Sequence, residues 1–201
     1  WTVGTTQNIT WTKTGSIPNV KLEYSTDNFV TASLIAASIA NSGTFSWTIP
    51  DSIASTVKVR VSDAADPSAN DVSDANFKIR GAMTLTAPNG GEIWSVGQSR
   101  TITWTTTGTV PNVRLEYSKD NFLSLILIAA SAPGTGSYAW TVPDDISSTV
   151  KVRITDVRDS TVFDDSNANF KIQGALTLTS PNGGEKWTVG SAQTIGWTAV
   201  G

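Results

Sequence analysis

The stretch Pro88-Asn89-Gly90-Gly91-Glu92-Ile93-Trp94-Ser95-Val96-Gly97 decides how this chain is organised. It returns as Pro181-Asn182-Gly183-Gly184-Glu185-Lys186-Trp187-Thr188-Val189-Gly190, and its second half opens the chain as Trp1-Thr2-Val3-Gly4. Trp1, Trp94 and Trp187 are therefore spaced 93 residues apart. A fixed period of this size indicates a structural module that is repeated along the chain.

The alignment of the repeats defines the domain organisation. Residues 1–80 align with 94–173 without an insertion or deletion, and more than half of the aligned positions are identical. The repeat predicts three parts, which are a module at 1–80 that lacks its first strand, a complete module at 81–173, and the first two strands of a third module at 174–201.

Within the complete module, apolar residues alternate with polar ones at a period of two. Met83 and Leu85 alternate with Thr84 and Thr86 on the first strand, and the same pattern recurs on six further segments separated by Gly, Pro, Asn and Asp. No segment shows a helical period. Seven short strands in one 93-residue repeat are typical of an immunoglobulin-like or fibronectin-III-like β-sandwich. We therefore predict an all-β chain of tandem β-sandwich modules.

Composition excludes several classes of function. The 201 residues carry a net charge of −3, with no Cys and no His, so the chain lacks the basic surface of a nucleic-acid-binding protein and any disulfide or thiolate metal site. The absence of His removes the commonest general base. No apolar run approaches the length of a membrane span. We predict that the chain is not an enzyme and has no cofactor, with calcium as the one exception considered below.

A linked set of motifs recurs in both repeats. It comprises Pro-Asn-Gly-Gly-Glu-x-Trp-x-x-Gly, Ile-x-Trp, Val-x-Leu-Glu-Tyr-Ser, Trp-Thr-(Ile/Val)-Pro, Lys-Val-Arg-(Val/Ile) and Ala-Asn-Phe-Lys-Ile. This set resembles a module family of extracellular proteins. Its fungal members are Ser/Thr-rich, GPI-anchored cell-wall proteins, and its bacterial and archaeal members are tandem modules of large surface proteins. The resemblance implies an immunoglobulin-like fold, a cell-surface or extracellular location, no known catalysis, and a structural or adhesive role.

The joins between modules favour a structural role. Only about two residues separate the last strand of one module from the first strand of the next, and no flexible linker intervenes. We predict a stiff rod, stalk or filament of modules joined head to tail, whose partners are copies of itself. The alternative is a carbohydrate-binding or adhesive accessory module of a secreted protein, with a polysaccharide as the partner. The residues assigned to the module junction are Arg80, Gly81, Asn89, Gly90, Gly91, Glu92, Trp94 and Trp187.

The tryptophans have two interpretations. Trp104 and Trp140 alternate with Ile102 and Tyr138, which predicts that both indoles face the core. The functional alternative is a platform on which sugar rings stack. Trp1, Trp94 and Trp187 follow the turn, and core or interdomain packing is the favoured interpretation for them.

An acidic segment between the last two predicted strands is a candidate calcium site. Several carboxylates in one loop suit calcium, which takes six to eight oxygen ligands. The other interpretation is a solvated loop in which Asp residues form local turns. The candidate ligands are Asp63, Asp66 and Asp71 of the first module and Asp156, Asp159 and Asp164 of the second.

The outward faces of the two predicted sheets differ. One carries a basic ladder that includes one acid, with Lys21, Glu23, Lys58, Arg60, Lys78 and Arg80 in the first module. The other is an uncharged face of Thr and Ser that includes Thr10, Ser46 and Thr84. Because it lacks charged residues that oppose association, this second face is a candidate for lateral contact between copies.

The incomplete modules at the two ends also have two interpretations. Either the chain is an excerpt of a longer repeat protein, or the strand near its C-terminus inserts into the incomplete first module of a neighbouring copy. The tail also repeats residues 1–15, which the first module already has. That redundancy favours the excerpt.

Overall fold

The structure, a computed structural model, describes residues 1–201 and consists of strands, turns and loops without a helix. It confirms the predicted all-β class. No element has the length and hydropathy that a membrane-spanning helix requires. The chain forms two compact units: unit 1 comprises Trp1–Ala82 with Thr106–Val110, and unit 2 comprises Met83–Thr105 with Pro111–Gly201.

Unit 1 contains two sheets. A two-stranded sheet pairs β1 with β4, and the larger sheet has the order β3-β2-β5-β6, with β7 also paired to β5. Its core includes Leu22, Trp47, Ile49 and Val57, which point from both sheets into the space between them. The strands are β1 (Thr6–Thr10), β2 (Asn19–Ser25), β3 (Ser33–Ala40), β4 (Thr44–Thr48), β5 (Ala54–Asp63), β6 (Asn70–Val72) and β7 (Phe77–Ile79).

Unit 2 is a β-sandwich in which each of the two sheets is larger than its counterpart in unit 1. One sheet has the order β13-β10-β8 and the other the order β12-β11-β14-β16-β9, with β15 also paired to β14. The strands are β8 (Ala82–Ala87), β9 (Ile93–Ser95), β10 (Ser99–Thr107), β11 (Asn112–Ser118), β12 (Ile126–Pro133), β13 (Ser137–Thr141), β14 (Ser147–Asp156), β15 (Asp159–Asp165) and β16 (Phe170–Gln173).

An aromatic cluster fills the centre of unit 2. The ring of Trp94 lies 5.8 Å from that of Trp140 and 5.0 Å from that of Phe170, and Tyr117 packs on Trp140 at 5.3 Å. Trp94, Trp104 and Trp140 are all buried. The alternation of residues in the sequence therefore identified the inward faces correctly, because each indole finds its apolar partners only on the core side of its sheet.

Two strands of unit 2 were not predicted. The acidic segment, expected to be a loop, forms β15 and pairs with β14. Three residues after the Pro-Asn-Gly-Gly-Glu turn form β9, which pairs in parallel with β16. Both strands are short or polar, so they lack the alternating apolar pattern on which the prediction depended.

The last residues of unit 2 form a two-stranded ribbon. The strands β17 (Ala175–Ser180) and β18 (Gly196–Val200) pair antiparallel and belong to no larger sheet. Leu176 is 78% exposed and Leu178 is 48% exposed. A ribbon of this kind is marginally stable, since it buries little apolar surface.

The compact units differ from the predicted modules in two places. Residues 174–201, predicted as the start of a third module, belong to unit 2, and residues 106–110, predicted within the second module, belong to unit 1. Inside unit 1, Thr109 donates hydrogen bonds from its N–H and its hydroxyl to the carboxylate of Asp51, at 3.0 and 2.6 Å. The boundary between units falls after Ala82, close to the predicted join.

Candidate functional site

The Pro-Asn-Gly-Gly-Glu turn of unit 2 is closed by its own carboxylate. Glu92 accepts hydrogen bonds from the N–H groups of Asn89 and Gly90, at 2.7 and 2.8 Å. Gly90 has a φ of 130°, and a Cβ on it would lie 2.5 Å from the Cβ of Ala168. Glycine is therefore required at this position both by the backbone conformation and by the close approach to the neighbouring loop.

The turn and the strand before it are anchored to the rest of unit 2 by polar contacts. Asp164 accepts a hydrogen bond from the N–H of Leu85 at 2.7 Å, and Ser166 donates from its hydroxyl to the carbonyl of Pro88 at 2.7 Å. On the outer face, the hydroxyls of Thr86 and Thr103 are 2.8 Å apart. These contacts fix β8 in place at the edge of its sheet.

Unit 1 has a groove beside β1, in the position that β8 holds in unit 2. It has a volume of about 680 Å³ and an apolar floor. β1 pairs with β4 alone, so its other edge borders the groove. The lining includes Trp1, Ile9, Trp11, Val59, Val61 and Phe77, with Thr10, Asp71 and Ser73 as polar members. Sequence reasoning predicted the missing strand but did not identify the groove as a site.

The apolar residues that line the groove correspond to buried residues of unit 2. The counterparts of a residue lie 93 positions away, so Trp11 corresponds to Trp104 and Phe77 to Phe170. Trp104 is 3% exposed and Phe170 is 1% exposed, whereas both counterparts in unit 1 are only half-buried. The groove therefore exposes apolar side chains that the same fold buries when a strand covers them.

Trp1 also differs between the units. It is 37% exposed, whereas its counterpart Trp94 is 6% exposed. Its ring still packs on Phe77 at 4.5 Å and on Trp47 at 6.0 Å. Trp187, which was also assigned to a module junction, is exposed on the C-terminal segment. Of the three equivalent indoles, only Trp94 is therefore in a complete core.

The six predicted calcium ligands do not form a cluster. No group of three or more acidic side chains in the structure could hold a metal ion. Five of the carboxylates have other partners. Asp63, Asp66 and Asp159 close turns of their own loops, Asp156 pairs with Arg158, and Asp164 accepts from the N–H of Leu85. Calcium binding at Asp63, Asp66, Asp71, Asp156, Asp159 and Asp164 stays a prediction for which the geometry offers no prearranged site.

The basic ladder surrounds a buried acid. Glu23 is 8% exposed, and its carboxylate lies 2.6 Å from the Lys21 ammonium and 2.7 Å from the Arg60 guanidinium. The hydrogen bond from Lys21 is the main reason that the pKa of Glu23 lies below its usual value. In unit 2, Arg153 is bound by Asp165 and lies over the rings of Phe122 and Phe163. The long cationic side chains therefore cover an acid that alternation places on the outer face of the sheet.

A second buried polar contact involves a tyrosine. Asp145 accepts hydrogen bonds from Lys119 and from the hydroxyl of Tyr117. Lys119 holds the pKa of Asp145 below its usual value, whereas burial, followed by the contact with Asp145, raises the pKa of Tyr117. Neither group exchanges protons near neutral pH, so the pair does not provide a general acid or base at that pH.

A strained turn recurs in both units. In unit 2, Asn121 and Phe122 both have positive φ values, 55° and 67°, and Ser118 and Asp120 hold the turn with hydrogen bonds. In unit 1, the counterparts Asn28 and Phe29 have φ values of 58° and 62°. The sequence predicted a turn from Asp120-Asn121 but not two consecutive left-handed residues, which are unusual away from glycine.

Comparisons with known proteins show no family for this chain. No family model matches the chain, and no curated protein matches it. Fibronectin(III)-like modules of Clostridium thermocellum CbhA are 17% identical, with 86% of each chain covered and a TM-score of 0.29. A fragment of the ICAM-5 D1–D4 ectodomain is 14% identical over 90% of this chain and 54% of its own, with a TM-score of 0.38. A chimeric titin Z1Z2 tandem is 16% identical over 86% of this chain and 93% of its own, with a TM-score of 0.29. Likenesses this distant carry no argument about function.

Proposed function

We propose that this chain is part of an extracellular structural protein in which modules are joined stiffly, head to tail, into a stalk or filament. The repeat and the β-sandwich fold support the modular part of this proposal. The extracellular location is proposed from the resemblance of the motif set to surface-protein modules. The stiffness is supported by the joins, which are described next.

The junction glycines are the observation that carries the proposal. Inside unit 1, a Cβ on Gly81 would lie 2.9 Å from the carbonyl oxygen of Thr107. Inside unit 2, a Cβ on its counterpart Gly174 would lie 2.8 Å from the carbonyl oxygen of Val200, the counterpart of Thr107. Both of these approaches are between neighbouring strands of one sheet, β8 with β10 and β17 with β18. An isoleucine from the segment before the join also packs on each glycine, because a Cβ on Gly81 would lie 3.4 Å from Cδ1 of Ile53, and one on Gly174 would lie 3.5 Å from Cδ1 of its counterpart Ile146. This second packing is built twice, around a join of one or two residues that leaves little freedom for a flexible coil.

The absence of an activated group supports a structural role over catalysis. The buried acids pair with cations, which are Lys21, Arg60, Arg114 and Arg158. The buried tyrosine, Tyr117, is bound to Asp145. A nucleophile or general base requires a partner that shifts its pKa toward neutral pH. The pKa shifts of Asp145 and Tyr117 go in the opposite direction.

The alternative, carbohydrate binding through stacked indoles, has less support. In unit 2, the indoles of Trp94, Trp104 and Trp140 are 6%, 3% and 7% exposed. These three rings pack in the core and present no flat face on which a sugar could stack. Trp1 and Trp11 are more exposed in unit 1, but their counterparts show that a strand covers this position in the complete module.

Small-angle scattering of the 201-residue chain tests the stiffness. The comparison is with a variant that carries four additional residues, alternating Gly and Ser, between Arg80 and Gly81. We expect one narrow distance distribution for the natural join and a broader one for the variant, because the insertion separates Gly81 from Ile53. Identical distributions would show that the natural join already moves freely, and the proposal of a stiff rod would then be wrong.

A further inference from the structure

We infer that four exposed residues at the start of β12, namely Leu123, Leu125, Ile126 and Leu127 (the apolar patch), form a contact surface for the same patch of a second copy of this chain. The contact joins two copies side by side about a two-fold axis. It goes beyond the proposed head-to-tail stalk and does not depend on it, because the whole surface lies on unit 2. It is also distinct from the uncharged Thr and Ser face, which belongs to the other sheet.

The apolar patch is an unusual surface for a folded β-sandwich. Leu123 is 89% exposed, and the five consecutive residues 123–127 are all exposed, with Ser124 as the one polar residue among them. Single exposed apolar residues are common on soluble proteins, but a consecutive run of them is unfavourable unless it serves an interaction. The fold therefore leaves open a surface whose contact with water is unfavourable.

The patch lies at the free edge of the large sheet of unit 2. β12 has β11 as its one neighbouring strand, so its other edge has no strand partner. The pairing of β12 with β11 is irregular between Leu127 and Ala132, and bulges of this kind twist an edge away from strand addition. The second half of β12 is thus protected from edge-to-edge pairing, whereas the patch comes before the irregular part and is not.

The side chain of Leu127 points outward from the sheet. Leu127 lies opposite Glu116, and Glu116 lies opposite Arg153, so the three residues form one row across the sheet. Leu115, the neighbour of Glu116 in β11, is fully buried in the core. Because successive side chains of a strand point to opposite faces, the row that contains Leu127 is on the outer face, where a second copy can reach it.

The charges around the patch favour a second copy as its partner. Cations near the patch are engaged within unit 2: Arg114 by Glu116, Lys119 by Asp145, Arg153 by Asp165 and Lys151 by Asn121. Three of these four are matched by a carboxylate, so the surroundings of the patch carry little net charge. Such a surface neither selects a strongly charged partner nor repels a surface like itself. Its closest complement is therefore another apolar patch of the same kind.

Unit 1 has a similar surface at the same place. The counterparts of Leu123 and Leu127 are Val30 and Leu34, which are 84% and 58% exposed. The segment 30–40, like its counterpart 123–133, contains no charged residue, and β3 is also an edge strand with one neighbour. The apolar exposure is thus present in both repeats, although they differ at many other positions. Ala32 takes the place of Leu125, so the patch of unit 2 is the larger one.

The turn before the patch holds it in one conformation. The N–H of Phe122 donates to the hydroxyl of Ser118, and the N–H of Ser124 donates to the carboxylate of Asp120, both at 2.9 Å. The guanidinium of Arg153 lies 4.3 Å from the centre of the Phe122 ring. Because the turn is ordered before any contact forms, association loses less conformational entropy than it would with a mobile loop.

Disulfide trapping tests the two-fold contact directly, since the chain has no cysteine of its own. Mild oxidation of the 201-residue chain with Leu125→Cys should give a disulfide-linked dimer, because an axis through the centre of the patch brings the two thiols together. Val157→Cys is the matched control, since Val157 is a half-exposed apolar residue of unit 2 between β14 and β15, and it should give much less dimer. Equal yields from the two variants would overturn the inference.

Charge reversal tests the contact in solution. The natural chain should associate weakly as its concentration rises in sedimentation experiments, because the patch is smaller than a standard interface. Leu125→Lys and Leu125→Glu should each weaken association at least roughly tenfold, since like charges meet across the axis, and an equimolar mixture of the two should recover it. Val157→Lys should leave association unchanged. A natural chain that stays monomeric, or a mixture that does not recover, contradicts the inference.

A lipid surface is the other occupant that an exposed apolar patch could take. Vesicles of phosphatidylcholine and phosphatidylglycerol should not bind the natural chain. Binding that Leu125→Glu abolishes, in a chain that does not self-associate, would assign the patch to membranes and overturn the inference. The scattering experiment on the Arg80–Gly81 join leaves Leu125 in place, so the failure of the lateral contact and the failure of the stiff join can be distinguished.

Discussion

Single residues account for clear differences between the two repeats. Trp11 donates from its indole nitrogen to the side-chain oxygen of Asn41 at 2.7 Å. In unit 2 the counterpart of Asn41 is Gly134, and the indole nitrogen of Trp104 is buried without a partner. An unsatisfied buried donor costs about 1–3 kcal/mol, so one substitution between otherwise similar repeats changes the free energy of folding.

We predict that Gly134→Asn stabilises unit 2 and that Asn41→Gly destabilises unit 1, each by about 1 kcal/mol. Gly134 does not have a positive φ, so asparagine can adopt its backbone conformation. Urea unfolding followed by tryptophan fluorescence would measure both effects. A loss of stability in Gly134→Asn would show that the indole nitrogen cannot reach the new side chain.

A pH dependence is expected from the carboxylates of the strained turns. Hydrogen bonds from Thr31 and Ser25 lower the pKa of Asp27 to about 2, and those from Ser124 and Ser118 lower the pKa of Asp120 to about 2. Because these folded-state values lie below the ordinary value of 3.8, the stability they provide is complete above about pH 4 and is lost as pH falls toward 2.

Free energies of unfolding measured between about pH 5 and pH 2, the range that spans these pKa values, would test this expectation. The double variant Asp27→Asn and Asp120→Asn should show a shallower loss of stability with falling pH than the natural chain. An unchanged slope would assign the acid sensitivity to other carboxylates. The buried acid Glu23 would then be the next to substitute, since its pKa is also lowered.

At the level of elements, β8 is held by one carboxylate as well as by its neighbouring strand. Asp164→Ala removes the acceptor for the N–H of Leu85 and should cost about 1.5–3 kcal/mol, the range for a hydrogen bond to a charged group. Hydrogen exchange at the Leu85 amide should accelerate accordingly. Asp71→Ala is the matched control in unit 1, where the structure shows no strand at this position, and it should leave the stability of that unit nearly unchanged.

The main strands could be predicted from the sequence because alternation fixes which residues face the core. Leu85, Ile102 and Val150 were all placed correctly, and each is at most 1% exposed. The same reasoning missed β15 and β9, whose residues do not alternate. It also missed the burial of Glu23 and Glu116, since alternation places both on the outer face and says nothing about the cations that cover them.

The candidate site was less predictable than the fold. The repeat revealed that a strand was missing from the first module, but the groove depends on where Asp71 and Ser73 lie once β6 and the following loop have formed. The predicted calcium ligands failed to cluster because Asp residues that are close in sequence point to opposite faces of a strand or cap separate turns. Spacing alone does not reveal either arrangement.

At the scale of the molecule, the two units should differ in stability. Unit 1 leaves Trp11, Val59, Val61 and Phe77 half-buried, whereas their counterparts in unit 2 are covered. We predict two unfolding transitions in calorimetry, with that of unit 1 at the lower temperature.

Two matched core substitutions would assign the transitions. Val57 and Val150 are counterparts and are both 0% exposed. Val57→Ala should lower only the first transition and Val150→Ala only the second, by roughly 4–8 °C for each kcal/mol lost. A single transition that shifts with either substitution would mean that the whole chain unfolds as one cooperative body.

The paired indoles of each repeat have an optical consequence. Trp94 and Trp140 lie 5.8 Å apart at an angle of 63°, and Trp1 and Trp47 lie 6.0 Å apart at 74°. Chromophores so close and so inclined share their excited states, which gives a signed exciton couplet in far-ultraviolet circular dichroism. Each repeat therefore carries its own label-free reporter, whose signal vanishes when the indoles separate and records the integrity of the sandwich that holds them.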